Sequence, residues 1–255
     1  MEDVAIAYGY NNIPKTFPAC STVGAPFPIN KLSDQVRREI ALSGFSEIVP
    51  LILCSHDENF RFLRKADPGN EAVLLANPKT VEYQVVRTSL LPGALKTIHS
   101  NRKHALPVQV FEVSDVVYKD ETQSRRARNE RHVCAMYCGK TSGFETIHGL
   151  LDRIMQMLAV TLVPEEGSAM GYFIKESEHP SYFPGRSANI YYRGPRARSA
   201  LEPQAHFTDD VATSTQTPVE TSLIGNFGII HPEVLMNFDI DYPCSALEFN
   251  LEPFL

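Results

Sequence analysis

The chain has 255 residues, 43% of them apolar and 21% charged, enough for one large globular domain and incompatible with wholesale disorder. No stretch approaches the ~18 apolar residues of a membrane span, and the opening Met1-Glu-Asp-Val does not have the basic, apolar make-up of a secretory leader. The net charge of −6 is unevenly spread: residues 199–255 hold nine acids and no Lys or Arg, giving −9, while residues 1–198 carry +3. This balance argues against a broad polyanion-binding face, and it leaves no side-chain cation in the last 57 residues to grip a phosphate.

In chain order, residues 4–13 end in turn residues, and residues 14–28 carry four prolines (Pro14, Pro18, Pro26 and Pro28) and no long apolar run. The expected organisation is a tail of a preceding small domain at 1–14, a linker at 15–30 and one domain over 31–255. The first helix is predicted at 31–43, with Asn30 as N-cap, a Leu32, Val36, Ile40 stripe and Gly44 as the stop. Residues 45–54 read as a strand in which Pro50 demands an edge or a bulge. A helical stretch at 56–65, a turn at Asp67-Pro-Gly and a short strand at 73–76 follow.

Thr88 or Ser89 can cap the next helix, Pro92 is tolerated in its first turn, and Leu91, Leu95 and Ile98 form its stripe. Residues 108–118 make the clearest strand, apolar on both faces and therefore central. The polar stretch 119–131 holds Arg125, Arg126, Arg128 and Arg131; it reads as a solvated hairpin loop, with a nucleic-acid contact as the alternative. A strand at 133–138 precedes a helix at 143–159, whose Phe144, Ile147, Leu151, Ile154 and Leu158 recur at helical spacing, with Met155 and Met157 as core filler. Strands are expected at 171–175 and 188–192.

Residues 195–222 hold eight Ser/Thr and few apolar side chains, and are expected to be a mobile surface insertion flanked by paired strands. The fold resumes at 223–230, Pro232 opens a short helix after His231, and 246–251 alternate as a final half-buried strand. Strands joined by loops imply an α+β fold with antiparallel pairing. No glycine-rich phosphate loop, nucleophile elbow or H-E-x-x-H pattern occurs. The five cysteines form no C-x-x-C and suit a reducing compartment. Cys134 and Cys138 read as small buried apolar side chains, with a zinc pair as the alternative.

Several segments, in order, resemble the β subunit of phenylalanyl-tRNA synthetases, closest to the cytosolic eukaryotic type. They are Glu2-Asp-Val-Ala-Ile-Ala-Tyr-Gly-Tyr-Asn-Asn-Ile-Pro, Asn77-Pro-Lys-Thr, Arg87-Thr-Ser-Leu-Leu-Pro-Gly, Val110-Phe-Glu-Val-Ser-Asp-Val-Val, Phe144-Glu-Thr-Ile-His-Gly-Leu-Leu-Asp-Arg, Phe183-Pro-Gly-Arg and Gly228-Ile-Ile-His-Pro-Glu-Val. The resemblance implies the catalytic-like domain of that subunit, with a class II aminoacyl-tRNA synthetase-like antiparallel sheet flanked by helices. It further implies an α subunit that carries the active site, an αβ heterotetramer, tRNA as a partner of the whole enzyme, a cytoplasmic location and no membrane contact.

The same resemblance bears on chemistry. Class II enzymes hold ATP's phosphates with one Arg on a motif-two strand and another opening a motif-three helix, because negative charge builds on the α-phosphate. At these degenerate motif positions the chain carries Glu112 and Glu248, so no catalytic residue and no cofactor-binding residue is expected here. ATP and Mg2+ are implied for the whole enzyme, with none bound by this chain. Glu2 and Asp3 match the last two acidic positions that the family associates with magnesium, in a set whose upstream members this sequence does not contain.

Glu112 itself reads as a solvated or paired strand carboxylate. Arg87 can hold a partner carboxylate or cap local carbonyls, and Arg186 is similar. His148 and His231 read as a packed histidine and a helix cap. Residues 31–54 are the candidate α-subunit surface, with Arg37, Arg38 and Glu39 as its polar rim, and the 144–158 stripe is a second candidate. Two other functions stay open: a ligase with an unrecognised site, and a vestigial small-ligand site in the sheet cleft.

Overall fold

A computed structural model describes residues 1–17, 19, 24, 26–195 and 219–255. Helix α1 (Glu2–Tyr8) buries none of its residues. Helix α2 (Pro28–Leu42) starts earlier than the periodicity suggests, because Phe27 is the N-cap in extended geometry and Pro28 takes the first helical position, where its missing N–H costs nothing. Asn30 is therefore inside the helix. Ile29, Val36 and Ile40 are buried, and Gly44, with φ +91°, turns the chain out of the helix.

The expected 45–54 strand divides at Pro50 into β1 (Ser46–Glu47) and β2 (Leu53–Cys54), which belong to different sheets. Ser55 opens α3 (His56–Asn59) with a reciprocal capping box to Glu58, and a 3-10 turn covers Arg61–Leu63. Strand β3 (Val85–Val86) pairs with β2, and the expected strand at 73–76 reduces to a single bridge from Leu74 to Val85. Helix α4 (Leu91–Ser100) follows, with Leu91, Leu95 and Ile98 buried.

The main sheet is completed by β4 (Val108–Lys119), β5 (Ala127–Cys138), β6 (Gly171–Glu176), β7 (Tyr182–Pro195), β8 (Val219–Ile230) and β9 (Cys244–Asn250). Helices α5 (Phe144–Met157) and α6 (Pro232–Asn237) are the remaining helices. The strand order is β1-β4-β5-β9-β8-β7-β6. Every neighbouring pair is antiparallel except β1 with β4, so the sheet is mixed rather than wholly antiparallel. The parallel edge follows from the long excursion through α4 between the two strands, which a hairpin could not provide.

Two cores sandwich the sheet. On one face α2 and α5 pack over Phe111, Val113, Val133, Ala135, Leu247 and Phe249. On the other, α4 and α6 pack over Val110, Val116, Cys134, Met136 and Ala246. Strand β9 is buried on both faces over Cys244–Phe249 because it lies mid-sheet, which corrects the half-buried expectation. The α5 stripe of Ile147, Leu151 and Ile154 is fully buried in the first core and presents no docking face.

Pro195 and Val219–Ser222 belong to β7 and β8, so the 195–222 insertion is narrower than its composition suggests; residues 196–218 lie outside the described residues. The flanks pair as expected, Tyr191 with Leu223 and Pro195 with Val219.

One polar row crosses the α4 face of the sheet: Glu112, Cys134, Glu248, Asn226 and Asn189 are consecutive register partners on β4, β5, β9, β8 and β7. Both degenerate motif carboxylates stand in this row, one to each side of Cys134.

Candidate functional site

The segment 87–91 enters α4 directly over the polar row and is fastened to it at several points. Arg87 is 2% exposed and its Nη2 lies 2.7 Å from Glu112 Oε1, itself 3% exposed. Arg87 Nε donates to the Asp115 carbonyl at 3.2 Å. The partner carboxylate that the sequence left unidentified thus comes from the neighbouring strand of the same chain. Burial pushes the Glu112 carboxyl above the ordinary carboxylate range, against the pull of Arg87. Neither Arg87 Nη nor Glu112 Oε2 makes a hydrogen bond of acceptable geometry, so the pair is held by close charge contact and is only partly satisfied.

Glu248 fastens the next two residues. Its Oε2 accepts from Ser89 Oγ at 2.6 Å, and its Oε1 accepts from the Leu90 amide at 2.9 Å. A carboxylate at this end of α4 satisfies a backbone donor that the helix leaves free, and it opposes the positive end of the helix dipole. Ser89 Oγ also receives the Leu91 amide at 3.2 Å, so Ser89 contributes the capping expected of it while Leu90 occupies the N-cap position. Burial pushes the Glu248 carboxyl up, but His132, Lys65 and Ser89 outweigh it and hold the group at about 2.

His132, not singled out from the sequence, bridges two carboxylates: its Nδ1 lies 3.1 Å from Glu248 and its Nε2 3.3 Å from Glu130. Thr88 completes the clamp. Its amide donates to Asn59 Oδ1 at 3.0 Å, and its carbonyl accepts from Tyr118 Oη at 2.8 Å.

Around Glu248 a cavity of about 100 Å³ remains, lined by Lys65, Ser89, Tyr118, His132, His179 and Asn226 among others. Burial, with Lys65, lowers His179 to about 4, so its imidazole is neutral near pH 7. Small-molecule sites commonly occupy ~300–1,000 Å³. An ATP or an aminoacyl adenylate does not fit here, and the carboxylate at its base has the wrong sign for phosphate. The residues present therefore do not suit ATP.

Glu2 and Asp3 lie exposed on α1. Among the described residues no group of three or more His, Cys, Asp or Glu gathers in a way that could hold a metal. Two carboxylates would leave most of an octahedral Mg2+ shell to water or to other oxygen ligands.

The remaining singled-out residues have structural placements. His231 Nδ1 accepts from the Glu233 amide at 3.1 Å and caps α6. His148 packs against the Phe227 ring, with ring centres 5.3 Å apart. Arg186 is exposed at the irregular start of β7. Arg37 is spent within the chain, on Asp34, Glu47 and the Val113 carbonyl, and Glu39 pairs with Arg153; only Arg38 of the expected rim is free of these ties and exposed.

The segment between β1 and β2 is different. Val49, Leu51 and Ile52 are 91%, 67% and 51% exposed, a contiguous apolar strip. It borders a cavity of about 280 Å³ between Pro50 and the Pro92–Asn101 side of α4. Among the described residues no helix is long and apolar enough to cross a membrane.

A family model described as "Phenylalanyl tRNA synthetase beta chain CLM domain" matches residues 13–251. The chain is 47% identical over 254 residues to a phenylalanine–tRNA ligase beta subunit of Schizosaccharomyces pombe, covering 98% of this chain and 39% of that protein. It is 48% identical to the Drosophila melanogaster beta subunit and 44% identical to the Homo sapiens one, in each case over 100% of this chain and 38% of the relative. An Arabidopsis thaliana relative, 43% identical, is named as cytoplasmic. The chain thus spans about two-fifths of the length of the curated relatives it matches. With a match over most of its length, the chain belongs to the phenylalanyl-tRNA synthetase beta chain family, as its CLM domain.

Proposed function

We propose that this chain is a structural, non-catalytic domain of a cytoplasmic phenylalanine–tRNA ligase β subunit. In this reading it supports an α subunit that holds ATP, Mg2+ and phenylalanine and attaches the amino acid to its tRNA, in a heterotetramer. The observation that carries the reading is the fate of Glu112 and Glu248. Where the resemblance calls for cations, both positions hold buried carboxylates committed to Arg87, Ser89 and the Leu90 amide. The sheet, antiparallel but for its first edge strand and covered by helices on both faces, is compatible with a class II synthetase-like fold. The division into a 1–14 tail, a 15–30 linker and a main domain belongs to the same proposal.

The exposed Val49–Ile52 strip supports an α-subunit surface within residues 31–54, since a contiguous apolar strip of this kind marks an interaction site. The discriminating experiment is co-expression with a cognate α subunit, followed by mass measurement and a phenylalanine-dependent pyrophosphate-exchange assay. The complex is expected to assemble and to exchange, and the β chain alone to do neither. Exchange by the β chain alone would sink the non-catalytic reading. Failure of an Ile52→Asp variant to weaken assembly would sink the assigned surface.

A further inference from the structure

Strands β5 and β9 end side by side with Cys138 opposite Cys244. The hydrogen-bonding phase of this ladder follows from its two ends. The Gly139 amide donates to the Pro243 carbonyl, and the Leu251 amide donates to the Arg131 carbonyl. Odd-numbered positions of β5 therefore make the hydrogen-bonded pairs, and Cys138 and Cys244 form a non-hydrogen-bonded pair. Such pairs have Cα atoms about 4.5 Å apart, with their side chains in close approach. That spacing lies within the roughly 4.4–6.8 Å that a disulfide spans.

Both side chains belong to the core under α4 and α6, so they point to the same face of the sheet. The Cys244 thiol donates to the Tyr242 carbonyl at 3.4 Å. Cys138 in addition lines a cavity of about 180 Å³, bounded by Ile98, His99, Leu106, Val108 and Tyr242. A water occupies ~30 Å³ in the liquid, so this cavity admits a molecule the size of hydrogen peroxide. Cys134, on the same strand and face, lies between the two glutamates of the polar row.

We propose that Cys138 and Cys244 are a peroxide-oxidisable dithiol that closes to a cross-strand disulfide. Cys138 is the first nucleophile, because of the two it is the one that lines the cavity through which peroxide would reach the pair. The Cys138 thiolate attacks one peroxide oxygen, the O–O bond breaks, and Cys138 becomes a sulfenic acid with release of hydroxide. The Cys244 sulfur then attacks the Cys138 sulfur, the S–O bond breaks, and the sulfenate oxygen leaves as water with the Cys244 proton. The two thiols lose two electrons in total and peroxide is reduced to water.

The test is peroxide treatment of the intact protein, followed by alkylation, digestion without reductant and mass spectrometry. The expected product is a Cys138–Cys244 linked peptide, lighter by two hydrogens and reversed by dithiothreitol, with Cys134 still alkylatable after denaturation. In a Cys244→Ser variant the reaction is expected to stop at a Cys138 sulfenic acid, trapped by dimedone. The bond closes a loop on the order of 100 residues, so Tm of the oxidised wild type should rise by roughly 10 °C. Recovery of both cysteines fully alkylated after peroxide treatment would overturn the proposal. Linkage of Cys138 to a different cysteine, or a Tm that falls on oxidation, would overturn it equally.

Discussion

Replacing Arg87 by Met tests whether the polar row is held together by the buried pair. The substitution keeps the length of the side chain and removes the charge, leaving Glu112 3% exposed with no counter-ion. Breaking one side of a buried ion pair costs about 3–5 kcal/mol. Loss of the bond to the Asp115 carbonyl adds about 1 kcal/mol. The total of about 4–6 kcal/mol corresponds, in a domain of this size, to a fall in Tm of roughly 8–24 °C. Replacing Glu112 alone by Met should cost about as much, because it strands the guanidinium instead.

The double variant removes both charges and should cost only about 1–2 kcal/mol, far less than the sum, since an apolar pair of similar volume needs no compensation. The pH response gives an independent check. Burial already raises the Glu112 carboxyl, and loss of Arg87 raises it further. A folded-state pKa above the unfolded one favours the folded state as protons bind, so the defect of Arg87→Met should shrink as pH falls from 8 to 5. Urea unfolding of the four proteins at both pH values reads all of this. Additive single-variant costs, or a defect that grows at low pH, would refute the reasoning.

Three further outcomes are expected. Glu248 is held at about 2 in the folded state against an ordinary 4.5, so its contribution is complete above pH 4.5 and is lost as pH falls towards 2. It amounts to on the order of 3 kcal/mol, and Glu248→Gln should show most of that loss already at pH 7 and a flatter acid-unfolding profile; an unchanged profile would count against the clamp. Glu112→Arg should set two cations together in the core, lower stability at least as much as Arg87→Met, and give no phenylalanine-dependent pyrophosphate exchange; activation by that single change would defeat the non-catalytic reading. Pro195 faces Val219, so an Asn-Gly turn in place of residues 196–218 should close the β7–β8 hairpin and leave Tm within a few degrees, and a collapse in a thermal melt would show that those residues pack into the domain.

The sequence made the regular elements legible wherever one face of an element carries the apolar residues. Val36 and Ile40 of the α2 stripe, Ile147, Leu151 and Ile154 of the α5 stripe, and Val110, Phe111, Val113 and Val116 on the two faces of β4 are buried, and His231 caps its helix. Residue spacing did not reach the edges and the site. Pro50 divides one apolar run between two sheets, and β1 joins β4 in parallel across about 60 intervening residues, a pairing no local pattern encodes. Ser and Thr around 219–222 read as loop, yet they continue a strand that β7 stabilises. The clamp joins Arg87 to Glu112 and Ser89 to Glu248, so it emerges only once β4, β5 and β9 are placed in register. Glu112 and Glu248 attracted notice for what they lack as phosphate ligands; what they hold instead is the entry to α4.

The polar row also has a role in folding. Strands β4, β5 and β9 are apolar on both faces over much of their length, so sliding one past another by a residue would bury nearly as much apolar surface as the native alignment. Such a slip would carry Glu112 or Glu248 to the α2/α5 side, where Phe111, Val113, Leu247 and Phe249 offer a carboxylate no donor. Each buried acid thus acts as an alignment key: beyond what it contributes to the correct pairing, it makes the neighbouring misalignments prohibitively unfavourable.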